Sequence, residues 1–211
     1  MKKALLLLAA LMLAFSAGPA RAAPAPVRAA LTQQDKSDLA RIEDYLNRLK
    51  NISADFLQVD DAGGMMHGQL AISRPGKMRV DYDPPSKDFI IADGSTVHIW
   101  DSQLKAQTNI DQDSSLAQFI LRDPVNLDGD VTVTKIQRFP AKIEVTLIEN
   151  KDPGQGTLTL VFEDKPLKLR QWKVIDGQGR LTGVNLENMS EGAIFGESMF
   201  VFTSPNFGKN P

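Results

Sequence analysis

His67 and His98 are the only imidazoles in this 211-residue chain. Neither has a second metal-type ligand at helical or strand spacing, so both are read as surface or packing residues and no metal is expected. Asp60-Asp61 precedes Ala62-Gly63-Gly64, where aspartate serves as a turn former. Asp111 and Asp113 flank a candidate helix start, and capping suits them better than acid–base work. There is no G-x-S-x-G elbow and no phosphate-binding loop. Gly154-Gln155-Gly156 and Gly177-Gln178-Gly179 lack the third glycine of a dinucleotide fingerprint. No catalytic residue, no cofactor and no enzyme activity are expected, and any transport by this chain has to be powered elsewhere.

Arg74 is the residue that asks for an explanation. Leu70 and Ile72 alternate with polar or small neighbours, the period of a half-buried strand, and Arg74 continues their phase. In one reading the strand ends at Ser73 and Arg74 is solvated, since arginine is rarely buried unpaired. In the other, Arg74 sits at the mouth of an apolar hollow and bonds something mobile. Pro75-Gly76 supplies the turn that follows.

The elements that would hold such a hollow can be read in order. Thr32 and Asp35 form a capping-box-like start for a helix over Gln33 to Lys50. Leu39, Ile42, Leu46 and Leu49 make its apolar stripe, and Lys36, Arg41, Glu43, Asn47 and Lys50 its other side. Strands then dominate. They run over Ser53–Asp60, through Leu70 and Ile72, over Met78–Tyr82, Phe89–Ala92, Val97–Trp100 and Leu104–Ile110. After an interruption they resume over Val131–Arg138, Ile143–Leu147, Leu158–Phe162, Leu167–Asp176, Leu181–Glu187 and Ser198–Thr203. The interruption is a short helix with Leu116, Phe119, Ile120 and Leu121, opened by Asp113-Ser114-Ser115 and stopped by Asp123-Pro124.

The expected fold is therefore mainly β with two helices. An antiparallel sheet of about 11–12 strands is too wide to stay flat and should curl into an incomplete barrel. The two amphipathic helices then form a lid over an apolar cavity. Leu46, Leu70, Ile72, Val80, Tyr82 and Trp100 are expected to line that cavity, and Phe119 and its neighbours to close it. This describes a carrier of an apolar ligand.

Residues 1–22 are read as a cleaved secretory signal peptide. Lys2-Lys3 precede an apolar run from Ala4 to Phe15, and Ala20-Arg21-Ala22 fits the small-residue cleavage rule. The apolar run is too short to span a bilayer. Residues 23–211 are read as one domain. The formal charge of −2 becomes more negative once Lys2, Lys3 and Arg21 are removed, which argues against a nucleic-acid partner. The chain has no cysteine, so neither disulfides nor a lipid-modified N-terminal cysteine are available. The loop from Glu191 to Gly196 is more apolar than a turn requires. It is read as packed on its own barrel, with a membrane- or partner-touching tip as the alternative.

The runs RPGKMRVDYDPP, FIIADGSTVHIWD and LAQFILRDP, in that order, resemble the LolA-type periplasmic lipoprotein carriers. DFLQ before them, and DGQGRLTGVNLEN and FVFTSP after them, fit as well, so the resemblance spans roughly Leu39 to Pro205. It implies a periplasmic, monomeric carrier of triacylated lipoproteins. Such a carrier is loaded by an inner-membrane ABC release complex and unloaded at an outer-membrane lipoprotein receptor. It also implies that Arg74 hydrogen-bonds the lid helix and favours release. His98 and Trp100 stand where the family often has Trp and Tyr, which implies an altered aromatic lining. The alternative is a related barrel that binds or senses another lipid, a glycolipid or hopanoid.

Overall fold

Thr32 caps the first helix in the manner its sequence predicts. Its hydroxyl accepts from the Asp35 amide, and the Asp35 carboxylate accepts from the Thr32 amide at 2.7 Å. The helix, α1, runs over Gln33–Arg48 and buries Ile42, Tyr45 and Leu46. This is a computed structural model, and it describes residues 27–114 and 117–205. The proposed signal peptide and Leu116 lie outside the described residues.

Eleven strands follow: β1 (Asn51–Asp60), β2 (Met65–Ser73), β3 (Lys77–Tyr82), β4 (Phe89–Asp93), β5 (Thr96–Asp101), β6 (Ala106–Asp111), β7 (Val131–Phe139), β8 (Lys142–Glu149), β9 (Gly156–Asp164), β10 (Leu167–Asp176) and β11 (Leu181–Glu191). They form one antiparallel sheet in the order β6-β5-β4-β3-β2-β1-β11-β10-β9-β8-β7. Each strand pairs with its sequence neighbour except at one place, where β1 pairs β11 and joins the two meanders. β6 and β7 are therefore the two free edges, and the segment between them carries the second helix, α2 (Ala117–Leu121).

The expected twelfth strand, Ser198–Thr203, is not one. Glu197–Phe200 is a 3₁₀ turn, and the chain after it is irregular. Phe200 and Phe202 turn inward between exposed Met199 and Val201, as strand residues would, but the segment contributes side chains to the convex face of the sheet rather than a backbone ladder. Phe202 lies against Phe89, with ring centroids 5.7 Å apart.

Cross-strand register sorts the two faces. Ile52 pairs with Ile72, Ala54 with Leu70, Leu70 with Val80, and Ile72 with Met78. Ile90 pairs with Ile99 and Ala92 with Val97. All of these are buried in a single apolar cluster on the concave face, together with Trp172, Val184 and Leu186 from the other meander. Gly68 permits the close packing there. A Cβ at this position would come 2.2 Å from the Asp81 carbonyl oxygen and 2.7 Å from the Phe56 ring.

Candidate functional site

β2 ends at Ser73, so Arg74 is the first residue of the turn into β3. It is not solvated. Its Nε donates to the Ile120 carbonyl at 2.6 Å, and its Nη1 donates to the carbonyls of Leu46 at 2.6 Å and Leu49 at 3.2 Å. The last carbonyls of a helix have no partner within it. One guanidinium therefore caps the C-terminal ends of both helices at once. The Arg74 amide also donates to the Lys50 carbonyl at 2.8 Å. Burial pushes the Arg74 pKa down to about 10, against the upward pull of Asp123 and the Tyr45 hydroxyl, so the side chain stays charged at neutral pH.

Gly76 completes the grip, its amide donating to the Leu121 carbonyl at 2.9 Å. It has φ +80°, and a Cβ there would meet the Gly94 Cα at 2.8 Å, so only glycine suits this turn. Lys50 reaches Asp123 at 2.5 Å. Asn47 makes a two-way contact with Val125, donating to its carbonyl at 2.9 Å and accepting from its amide at 2.7 Å. Glu43 accepts from the Leu127 amide at 2.8 Å. Glu43 and Asn47, on the flank of α1 that its sequence pattern leaves to solvent, and Lys50 just beyond its end thus hold the segment 123–127 against the helix. Arg41 of the same flank bonds Asp38 and Asp164. Side chains that grip a backbone segment look like solvated ones in the sequence, because their partners are main-chain groups about 80 residues away.

The sequence-derived site residues separate into two groups. Leu46, Leu70, Ile72, Val80 and Tyr82 lie together on the concave side with Phe119, Ile120 and Leu121, all buried. The Tyr82 hydroxyl donates to buried Gln58 at 3.0 Å, a polar contact within that apolar surface. Trp100 does not belong with them. It pairs with Phe89 across β4 and β5 and stacks on it at 6.4 Å, on the convex face. His98 is on that face as well, between Asp93 and Asn109 and stacked on Phe202 at 4.8 Å. Val97 and Ile99 are the residues of β5 that face inward, so His98 and Trp100 do not alter the lining.

Phe119 is 3% exposed, and the Arg122 guanidinium lies 5.4 Å from its ring centroid. Nε and Nη2 of Arg122 are buried with no hydrogen-bond acceptor among the described residues. Its Nη1 donates to Asp130 at 3.0 Å and its Nη2 lies 3.9 Å from the Glu149 carboxylate, so the guanidinium is paired with two carboxylates. In the loop after β11, Ile194 is 97% exposed, whereas Phe195 packs edge-on against Phe200.

Residues 47–203 match the family model described as "Outer membrane lipoprotein carrier protein LolA". The chain belongs to the LolA family. An outer-membrane lipoprotein carrier protein of Pseudomonas syringae is 28% identical over 81% of this chain and 86% of its own length. An uncharacterised protein of Rickettsia prowazekii is 22% identical over 82% of this chain and 80% of its own. Among solved structures, a DUF1329 family protein of Desulfovibrio piger superposes with a TM-score of 0.51 at 9% identity, covering 80% of this chain and 96% of the other. That likeness concerns the fold alone. The LolA match covers all the strands and the second helix but only Asn47 and Arg48 of α1. It includes Arg74 and both Leu49 and Ile120, two of the three residues whose carbonyls Arg74 bonds.

Proposed function

We propose that this LolA-family protein receives the acyl chains of triacylated lipoproteins leaving the inner membrane, carries them through the periplasm and passes them to the outer membrane. The observation that carries the reading is the double cap made by Arg74. An apolar concave face is shut by two helices whose ends hang on one cation. Opening the face breaks three hydrogen bonds, so the empty state competes with cargo for the same surface.

Energetics support a handover of this kind. Each buried CH₂ gains about 0.8 kcal/mol, so several acyl chains would never leave spontaneously into water. Release has to run from one apolar surface to another, and a lid that re-closes behind the departing chains lowers the cost. The N-terminal segment favours export to the periplasm, the ABC release complex and an outer-membrane receptor are the partners such a route requires, and a monomer suffices for it. Binding and transfer, without bond-making, are the whole activity in this reading.

Native mass spectrometry of the protein purified from its own periplasm tests the reading. Masses of triacylated lipoproteins are the expected result. A glycolipid or hopanoid mass in their place would overturn it.

A further inference from the structure

A hollow of about 580 Å³ lies beside the first half of α1. Leu39 and Ala40 of α1 form one wall, Ala29 and Leu31 of the preceding segment another, and Leu127 and Val133 the floor. Leu127 and Val133 are 4% and 3% exposed and belong to the main apolar cluster, so the floor is continuous with the carrier interior. The rim charges are largely engaged with each other or with backbone. Arg28 pairs with Asp128 at 2.8 Å, and Glu43 accepts from the Leu127 amide. The outer wall is a strap. Ala29 donates its amide to the Val133 carbonyl at 2.9 Å, covering the free edge of β7.

We infer that this hollow takes a single acyl chain of the cargo while the lid is still latched; the inference rests on the carrier function proposed above. Arg74 holds the C-terminal end of α1, at Leu46 and Leu49. The hollow flanks the earlier turns, from Lys36 to Glu43. None of the residues that line it is a hydrogen-bond partner of Arg74, so a chain can enter without breaking the latch. Such a step solves a problem of order. A first chain waiting in water while the latch is still closed would lack its burial energy. A chain seated over Leu127 and Val133 already touches the core and needs only a lift of α1 to move inward.

The test uses full-length mature protein and synthetic peptides carrying one palmitoyl chain or three acyl chains, with binding read by fluorescence anisotropy of a dye on the peptide. Ala40 is exposed, so Ala40→Trp fills the hollow and leaves the fold, checked by circular dichroism, intact. The expected result is a tenfold or greater loss of affinity for the one-chain peptide. Leu39→Asp, which puts a carboxylate on the wall next to Leu127 and Val133, should give the same loss. One-chain binding that survives both substitutions overturns the inference. Wild-type protein that binds the three-chain peptide but not the one-chain peptide also overturns it and leaves the carrier function standing. Failure to bind either peptide would remove both.

Discussion

Nε of Arg74 and the carbonyl oxygen of Ile120 lie 2.6 Å apart, joining the turn after β2 to the end of α2. The same guanidinium also holds the end of α1, so in the carrier reading proposed above one cation links the release of the two helices. That reading treats the latch as a two-state device, with a closed form favoured by these bonds and an open form favoured by cargo.

Arg74→Leu should therefore still accept acylated cargo, hold it more tightly and deliver it poorly. Three hydrogen bonds to a cation contribute about 1–3 kcal/mol net, so retention should rise roughly 5- to 150-fold. Arg74→Lys should restore delivery in part, because an ammonium lacks the planar fork that reaches both helix ends. Release from inner membranes and transfer to outer membranes, measured as separate steps, check this. Normal transfer by Arg74→Leu would contradict it.

Phe119→Ala should loosen the lid without unfolding the sheet. Removing a buried phenyl ring costs about 3–5 kcal/mol of packing, and here that loss falls on a five-residue helix. Limited proteolysis within residues 117–124 should become at least tenfold faster, with the β signal in circular dichroism unchanged. Equal cleavage rates would mean that α2 is held by backbone contacts alone.

The two tryptophans offer a spectroscopic check on which face meets the ligand. Trp172 sits in the concave cluster and Trp100 on the convex face. An acyl chain brominated along its length should quench Trp172 in the Trp100→Phe variant. It should leave Trp100 bright in the Trp172→Phe variant. Quenching of Trp100 would place the ligand outside the curl of the sheet.

Acid should weaken the anchor at the start of α1. The Thr32 hydroxyl and amide, aided by Arg138 and against the upward push of burial, hold the Asp35 carboxyl below its ordinary value of 3.8. For Asp38, burial pushes upward, and hydrogen bonds from Arg138 and Arg41 outweigh it. A carboxylate with a depressed folded pKa contributes stability above its unfolded value and loses it as pH falls through the folded one. The melting temperature should thus fall below about pH 4, and Asp38→Asn should show a shallower acid limb than wild type. Identical acid limbs would exclude Asp38 from the effect.

Much of this architecture can be read from residue pattern. Thr32 and Asp35 mark the helix start, turn residues punctuate the strands, and Arg74 stands out because it keeps phase with Leu70 and Ile72. The second half of the latch is not legible. Leu46 and Leu49 accept through their carbonyls, which every residue type possesses, so nothing in their side chains announces it. Trp100 misleads for another reason. Trp100 is buried on the outward face of β5 because Phe89 and the tail with Phe202 cover it there, and alternation identifies the core face only when the other face is wet. The tail itself reads as a strand because Met199 to Phe202 is a continuous apolar run, while the chain makes a 3₁₀ turn there.

The two edges that never meet have a mechanical consequence. In a closed barrel, strand number and stagger set the girth, and widening it means breaking ladder hydrogen bonds. Here β6 and β7 lie at opposite ends of the sheet order, and the segment carrying α2 connects them. The wall behaves as a cuff rather than a pipe. If it carries acyl chains as proposed above, it can slacken or tighten around them by small changes in curl, with no closing ladder to break.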